Sequence, residues 1–350
     1  MDEQREPSSD RPPRRKRYTG RNPRNFADKY KELGSEKYPA EVTKVLAHGR
    51  TPAGTHRPIM VGEIMHALRL MPGDVVLDCT LGYGGHSTEM LRAIQPSGRL
   101  IAMDHDPCEI AKTEQRLRSH GYPNESIVIR RMNFAGAAQL IAVESPGGVD
   151  ALLLDLGASS MQIDDPERGF SFKLDGPLDM RMNQQRGRSA SQLLSTLSPI
   201  QLATILTNNA DEPNAERIAA AIVSAHTKQP LTTTFSLAAV VRSVKHLETT
   251  GGYESAVRRV FQAIRTEVNQ EFDSLDTFLS QLPSCLKPGG RVAILSFHSG
   301  EDRRVKSCLK NGFQQGVFAS ISKDFEVPTH EEIWSNSRAR SAKLRGAVRS

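Results

Sequence analysis

Asp78, Gly82, Gly84, Gly85, His86 and Asp104 are the residues whose types and spacing first suggest chemistry. Asp78 ends an apolar run, Val75-Val76-Leu77, and a glycine-rich turn follows it. Thr88 to Ile94 then continues at helical spacing. Strand, glycine turn and helix is how an α/β fold brings its backbone close to a nucleotide-like ligand. Glycines serve there because a Cβ would clash with the ligand or with the φ that the turn needs. A second acid, Asp104, ends the run Arg99-Leu100-Ile101-Ala102-Met103. An acid in that place accepts hydrogen bonds from ribose hydroxyls.

Two ligands compete for this turn. A nicotinamide site wants GxGxxG, and the third glycine is missing here. Asp104 serves either ligand. The turn Lys287-Pro288-Gly289-Gly290 before a late apolar run is frequent in methyltransferases and has no role in a nicotinamide site. The balance favours an S-adenosylmethionine-dependent methyltransferase, with a nicotinamide enzyme as the other reading.

These residues must be positioned by alternating strands and helices. Apolar runs at 75–78, 99–104, 127–130 and 149–155 alternate with helical stretches, which specifies a parallel, doubly wound α/β sheet. From about Ser160 to Gly252 the strand runs stop. Ala190–Leu197, Pro199–Asn208, Ala215–Thr227 and Ser236–Val244 have helical periodicity and read as an inserted helical domain. Val257 to Leu282 reads as one long helix. Leu286 to Phe297 reads as a turn and a core strand, and the C-terminus as an edge strand with a basic tail. The expected division is a basic, disordered extension at 1–50, a Rossmann-like domain at 51–160 and 253–350, and a helical insertion at 161–252.

The chain has 350 residues and a formal charge of +6, concentrated at its ends. Arg14, Arg15, Lys16 and Arg17 near one end, and Arg338, Arg340, Lys343 and Arg345 near the other, suggest a polyanionic partner such as nucleic acid. Tyr18, Phe26, Tyr30 and Tyr38, interleaved with the first group, could stack on bases or dock on the protein's own body. The four cysteines form no CxxC pair, so no metal site or disulfide framework is expected. No apolar run is long enough to span a membrane, and a cytoplasmic protein is the expectation. A homodimer is left open.

Past the fourth strand run, Asp155 stands where a methyl donor would face its acceptor. Enzymes that methylate base amines carry an acid or Asn there, then Pro-Pro and an aromatic; here the Pro-Pro-aromatic is absent, and Phe170 and Phe172 could stack instead. Longer motifs follow in order: Asp155-Leu156-Gly157-Ala158-Ser159-Ser160, Arg168-Gly169-Phe170-Ser171-Phe172, Asp175-Gly176-Pro177-Leu178-Asp179-Met180-Arg181-Met182, Phe261 to Asn269, Ser296-Phe297-His298-Ser299-Gly300-Glu301-Asp302-Arg303 and Ser337 to Arg345. With Gly82-Tyr83-Gly84-Gly85-His86-Ser87 they resemble the bacterial small-subunit ribosomal RNA cytosine-N4 methyltransferase family, the MraW/RsmH type. The resemblance runs from about His56 to Arg345.

The resemblance implies methyl transfer from S-adenosylmethionine to the exocyclic N4 of a cytidine in the decoding region of 16S rRNA. It implies cofactor contacts from Gly84, Gly85, His86, Asp104, Phe134, Asp155 and Gln162, with Asp155 also the candidate catalytic residue. His298, Glu301 and Asp302 are candidates for the acceptor side, and Arg168, Arg181 and Arg303 for phosphate contacts. Gly300, where the family more often has Leu, reads as a mild surface change. The alternatives are a base-amine (adenine-N6 or cytosine-N4) methyltransferase acting on another nucleic acid and a non-catalytic ribosome-assembly factor.

Overall fold

The computed structural model describes residues 58–245, 247 and 252–350. The basic extension expected at 1–50, with its interleaved tyrosines, lies outside the described residues, as do His56 and Arg57.

Seven strands are found among the described residues: β1 (Val75–Asp78), β2 (Arg99–Asp104), β3 (Ile127–Arg131), β4 (Val149–Asp155), β5 (Leu286–Ser296), β6 (Phe318–Ile321) and β7 (Lys343–Arg349). They form one sheet in the order β3-β2-β1-β4-β5-β7-β6. The first five pair in parallel. Leu77, Ile101 and Leu152 pack on one face of the sheet, and Val76, Leu100 and Leu153 on the other. Strands covered on both faces must be apolar on both, which explains their near-continuous runs.

The helices α1 (Val61–Leu68), α2 (Gly85–Ile94) and α3 (Pro107–Ser119) cover the face of Val76. On the opposite face lies α4 (Ala137–Glu144), with two later helices. The expected helical stretch after β4 contains α5 (Ser160–Asp164), α6 (Ala190–Leu194), α7 (Pro199–Ala210), α8 (Ala215–Lys228) and α9 (Thr234–Ser243). Ser189, Ser198 and Thr233 begin three of these by accepting a hydrogen bond from the backbone N–H of the third helical residue. Leu202, Leu206, Ile218, Ile222 and Leu237 form a separate core there.

This core extends past the boundary drawn at 252. Helix α10 (Tyr253–Val268) contributes Val257, Val260 and Ile264 to it. The long helix expected over Val257–Leu282 is therefore two helices, α10 and α11 (Glu271–Cys285), broken where Gln270 takes φ 49°. The cause is Asn269. Its side chain accepts from the Met182 N–H at 2.7 Å and donates to the Met180 carbonyl at 2.8 Å. Those bonds fasten the break to the strand 4 connection.

After β5 come α12 (Ser299–Gln314) and α13 (His330–Ser335). The Lys287-Pro288-Gly289-Gly290 turn is absorbed into β5 as a register shift against β4. The C-terminus departs from expectation. Strand β7 is antiparallel to both β5 and β6, so β6 is the edge and the basic end is an interior strand. As an interior strand it buries Leu344 on one face of the sheet and Ala347 on the other, and the buried Arg345 is held by Asp302. Among the described residues no helix is long and apolar enough to cross a membrane.

Candidate active site

The strand order reverses between β1 and β4, which leaves a crevice at the carboxyl ends of the strands. Asp104, Asp78 and Asp155 end β2, β1 and β4, so three acids stand side by side along that edge.

Asp78 does not face the crevice. Its carboxylate accepts from the Ser87 hydroxyl at 2.6 Å and the Thr80 N–H at 3.0 Å, fastening the turn to the start of α2. Burial raises its pKa from 3.8 to about 6, against the pull of those two hydrogen bonds. Asp104 lies in the wall of the crevice. Its oxygens accept from the N–H groups of Gly82 at 2.7 Å and Asp106 at 2.8 Å. Burial raises its pKa too, opposed by these backbone donors.

A cavity of about 930 Å³ opens here. Gly85, His86, Asp104, Phe134, Asp155 and Gln162 all line it. Gly84 does not. It caps α2 with φ 71°, and a Cβ there would come within 2.8 Å of Thr113. Its service is to the turn's shape, which only glycine adopts without strain. Phe134 meets Phe278 edge to face at 5.9 Å and presents an apolar wall. Asp155 is held through its N–H, donated to the Thr80 hydroxyl at 2.8 Å, and its carboxylate lies 3.5 Å from His86 Nε2. Gln162 uses both ends of its amide within the protein. Its oxygen accepts from the Ser159 N–H at 2.8 Å, and its nitrogen donates to Asp106 at 2.7 Å.

On the opposite wall His298 caps α12 and Glu301 occupies its first turn. Glu301 accepts from the N–H groups of Phe297 at 2.8 Å and His298 at 3.2 Å, and His298 Nε2 lies 3.0 Å from its other oxygen. Burial works to raise the Glu301 pKa, but His298, the Phe297 N–H and Arg265 outweigh it and the carboxyl stays below its ordinary value. Glu271, His298 and Glu301 bring ligand-type atoms within 4.8 Å of one another, with Arg265 neutralising Glu271 through two hydrogen bonds. Asp302 is directed elsewhere, to Arg345 and Lys343.

Other expectations change. Arg168, Arg181 and Arg303 are not free phosphate contacts: each is paired, with Asp106, Asp179 and Asp211. Gly300 is buried rather than a surface position. A Cβ there would lie 2.5 Å from the Phe272 ring and 3.3 Å from His298 Nδ1, so the Phe272 ring fills the space and packs 5.6 Å from the His298 ring. Phe172 packs against Phe261 at 5.3 Å, and Phe170 lies buried under Arg168. Asp106, visible in sequence but given no role there, joins Gln162 and Arg168. Its signal was an acid two residues beyond the ribose-type acid. Sequence reasoning passed over the cavity walls supplied by α10 and by Asn336 to Ser341, whose only signal is in the late motifs.

A parallel sheet extended by an antiparallel β7, a glycine turn after β1 and an acid ending β2 define a Rossmann-like class I methyltransferase, whose methyl donor is S-adenosylmethionine. The chain belongs to the MraW methylase family, whose model matches residues 53–350. It is 48% identical over 341 residues to "Ribosomal RNA small subunit methyltransferase H 2" of Alkaliphilus metalliredigens, covering 96% of this chain and 97% of that relative. It is 46% identical over 341 residues to "Ribosomal RNA small subunit methyltransferase H 1" of Lachnoclostridium phytofermentans, covering 96% and 93%. The protein of the same type from Acidobacterium capsulatum is 39% identical over 296 residues, covering 83% of this chain and 97% of the relative.

Proposed function

We propose that the protein methylates the exocyclic N4 of a cytidine in the decoding region of 16S rRNA. The small-subunit rRNA methyltransferase names of its relatives support the substrate class. The observation that carries the reading is Asp155 in the wall of the cavity that also holds the glycine turn and Asp104.

The cavity fits the donor in size and in chemistry. Asp104 would accept from the ribose hydroxyls, Gly85 and the backbone of the turn would approach the amino acid end, and Phe134 would flank the adenine. His86, with a buried Nε2 that has no hydrogen-bond partner among the described residues, stands beside Asp155. Gln162 would act through Asp106 and Ser159 rather than touch the donor with a free amide. S-adenosylmethionine supplies a methyl group on a cationic sulfur. The protein's task is to orient an amine whose lone pair is delocalised into its ring. Asp155 and the carbonyls at 155–157 would accept its N–H groups and localise that lone pair in line with the methyl. Once methylated, the nitrogen is acidic and sheds a proton without a strong base. The base must leave its stack to enter, and the helical layer over the cavity would receive the surrounding RNA.

Mass spectrometry of 16S rRNA nucleosides from cells with and without the gene tests the reading. Loss of N4-methylcytidine with the gene is the expected result. Unchanged N4-methylcytidine would sink it, and loss of N6-methyladenosine would favour the adenine enzyme instead.

A further inference from the structure

The cations around the cavity are not equivalent. Arg265 is held by Glu271, and Arg338 by Asp164. Lys173, Arg258 and Arg340 also line the cavity and are exposed, and none has an ion-pair partner among the described residues. They come from three separate places. Lys173 follows the Phe170–Phe172 segment, Arg258 sits on the outer face of α10, and Arg340 lies in the short turn Ser337–Ser341. The acid one turn before Arg258, Glu254, takes two hydrogen bonds from Arg242 and feels Arg258 only from beyond ion-pair distance.

The acids of the same cavity are placed differently. Asp104 and Asp155 line it at the strand ends with no arginine or lysine ion-pair partner among the described residues, whereas Asp106 is met by Arg168, and the three cations are exposed. A negative floor repels a polyanion and a positive rim attracts one. A neutral base can therefore go in while its flanking phosphates stay at the rim.

We propose that Lys173, Arg258 and Arg340 are a three-point clamp for the phosphodiesters on either side of the extruded base. The clamp rests on the reading that the acceptor is RNA. It straddles the seam between the helical layer and the C-terminal segment, so one strand of RNA bridges the two. The arginines singled out by charge alone, Arg168, Arg181 and Arg303, are excluded from it because their charges are already met.

The test is equilibrium binding of a short single-stranded RNA of decoding-region sequence to the full chain over a salt series. Wild type is compared with Lys173→Ala, Arg258→Ala and Arg340→Ala, with Arg303→Ala as the exposed but paired control. Each clamp variant is expected to lower the slope of log affinity against log salt by about 0.7, which is about fivefold weaker binding near 0.1 M salt. S-adenosylmethionine affinity by calorimetry should stay unchanged in all of them. Unchanged slopes in Arg258→Ala and Arg340→Ala, or an equal loss in Arg303→Ala, would overturn the clamp. Cytidine N4 methylation by the same variants separates the two readings. Slopes that hold while methylation persists sink the clamp alone. Slopes that fall while wild type leaves N4 unmethylated sink the cytidine reading alone.

Discussion

Arg168 and Asp106 stand 62 positions apart and meet as a buried ion pair, with both terminal guanidinium nitrogens 3.0 Å from one carboxylate oxygen. Arg168 also donates to the Met182 carbonyl at 2.8 Å, and Gln162 donates to the same Asp106 oxygen at 2.7 Å. The end of β2, which carries Asp104, is thereby locked to the segment that opens the helical layer. Removing one member of a buried pair leaves the other uncompensated.

Arg168→Ala is accordingly expected to destabilise the protein by about 3–5 kcal/mol, read by chemical denaturation. S-adenosylmethionine affinity should fall with it, because Asp106 anchors the loop beside Asp104 through its own N–H. The double replacement Arg168→Met with Asp106→Leu should recover much of the stability, since no charge is then stranded. Equal losses in the single and double variants would show that the pair is not the cause.

Asp78 makes stability depend on pH. Its folded pKa of about 6 lies above the ordinary 3.8 because of burial. A raised carboxyl pKa means that the folded state binds the proton more tightly. Its stabilising contribution is complete below about pH 4 and is lost as pH rises through 6. The gap between the two values corresponds to about 3 kcal/mol. Denaturation midpoints of wild type and Asp78→Asn between pH 4 and 7 should diverge over that range in favour of the variant. A constant difference would show that Asp78 titrates normally.

Gly300 and Phe272 fit as a pair. Gly300→Leu puts a Cβ 2.5 Å from the Phe272 ring, and the ring has to move. Overpacking of this kind costs about 1–3 kcal/mol, measurable as a lower melting temperature. Gly300→Leu combined with Phe272→Ala should recover part of that loss. A single variant as stable as wild type would show that the ring relocates freely.

Donor binding and catalysis should separate between the two acids in the wall. Asp104→Ala should weaken S-adenosylmethionine by about 10- to 100-fold in calorimetry, as loss of charged hydrogen bonds implies. Asp155→Asn should leave that affinity within a few-fold and lower single-turnover methylation by about 100-fold. Reversal of the two effects would exchange the proposed roles.

Much of this was legible along the chain because it is local. The βαβ rhythm follows from apolar runs of strand length, and the glycine turn from backbone positions that a side chain would obstruct. The three acids were readable because each ends a run, and parallel strands end together. What lies between α5 and α9 was readable as helical from its periodicity. Pairing was not readable, because an arginine's partner can come from any distance in sequence. Only the folded chain shows that Arg168, Arg181 and Arg303 are ion-paired while Lys173, Arg258 and Arg340 have no ion-pair partner among the described residues. The break at Asn269 required its contacts with Met180 and Met182. The interior place of the basic β7 required knowing which strand it pairs with. Local pattern determined the elements and the donor turn; long-range contacts, which carry no period in sequence, decided which charges face the cavity.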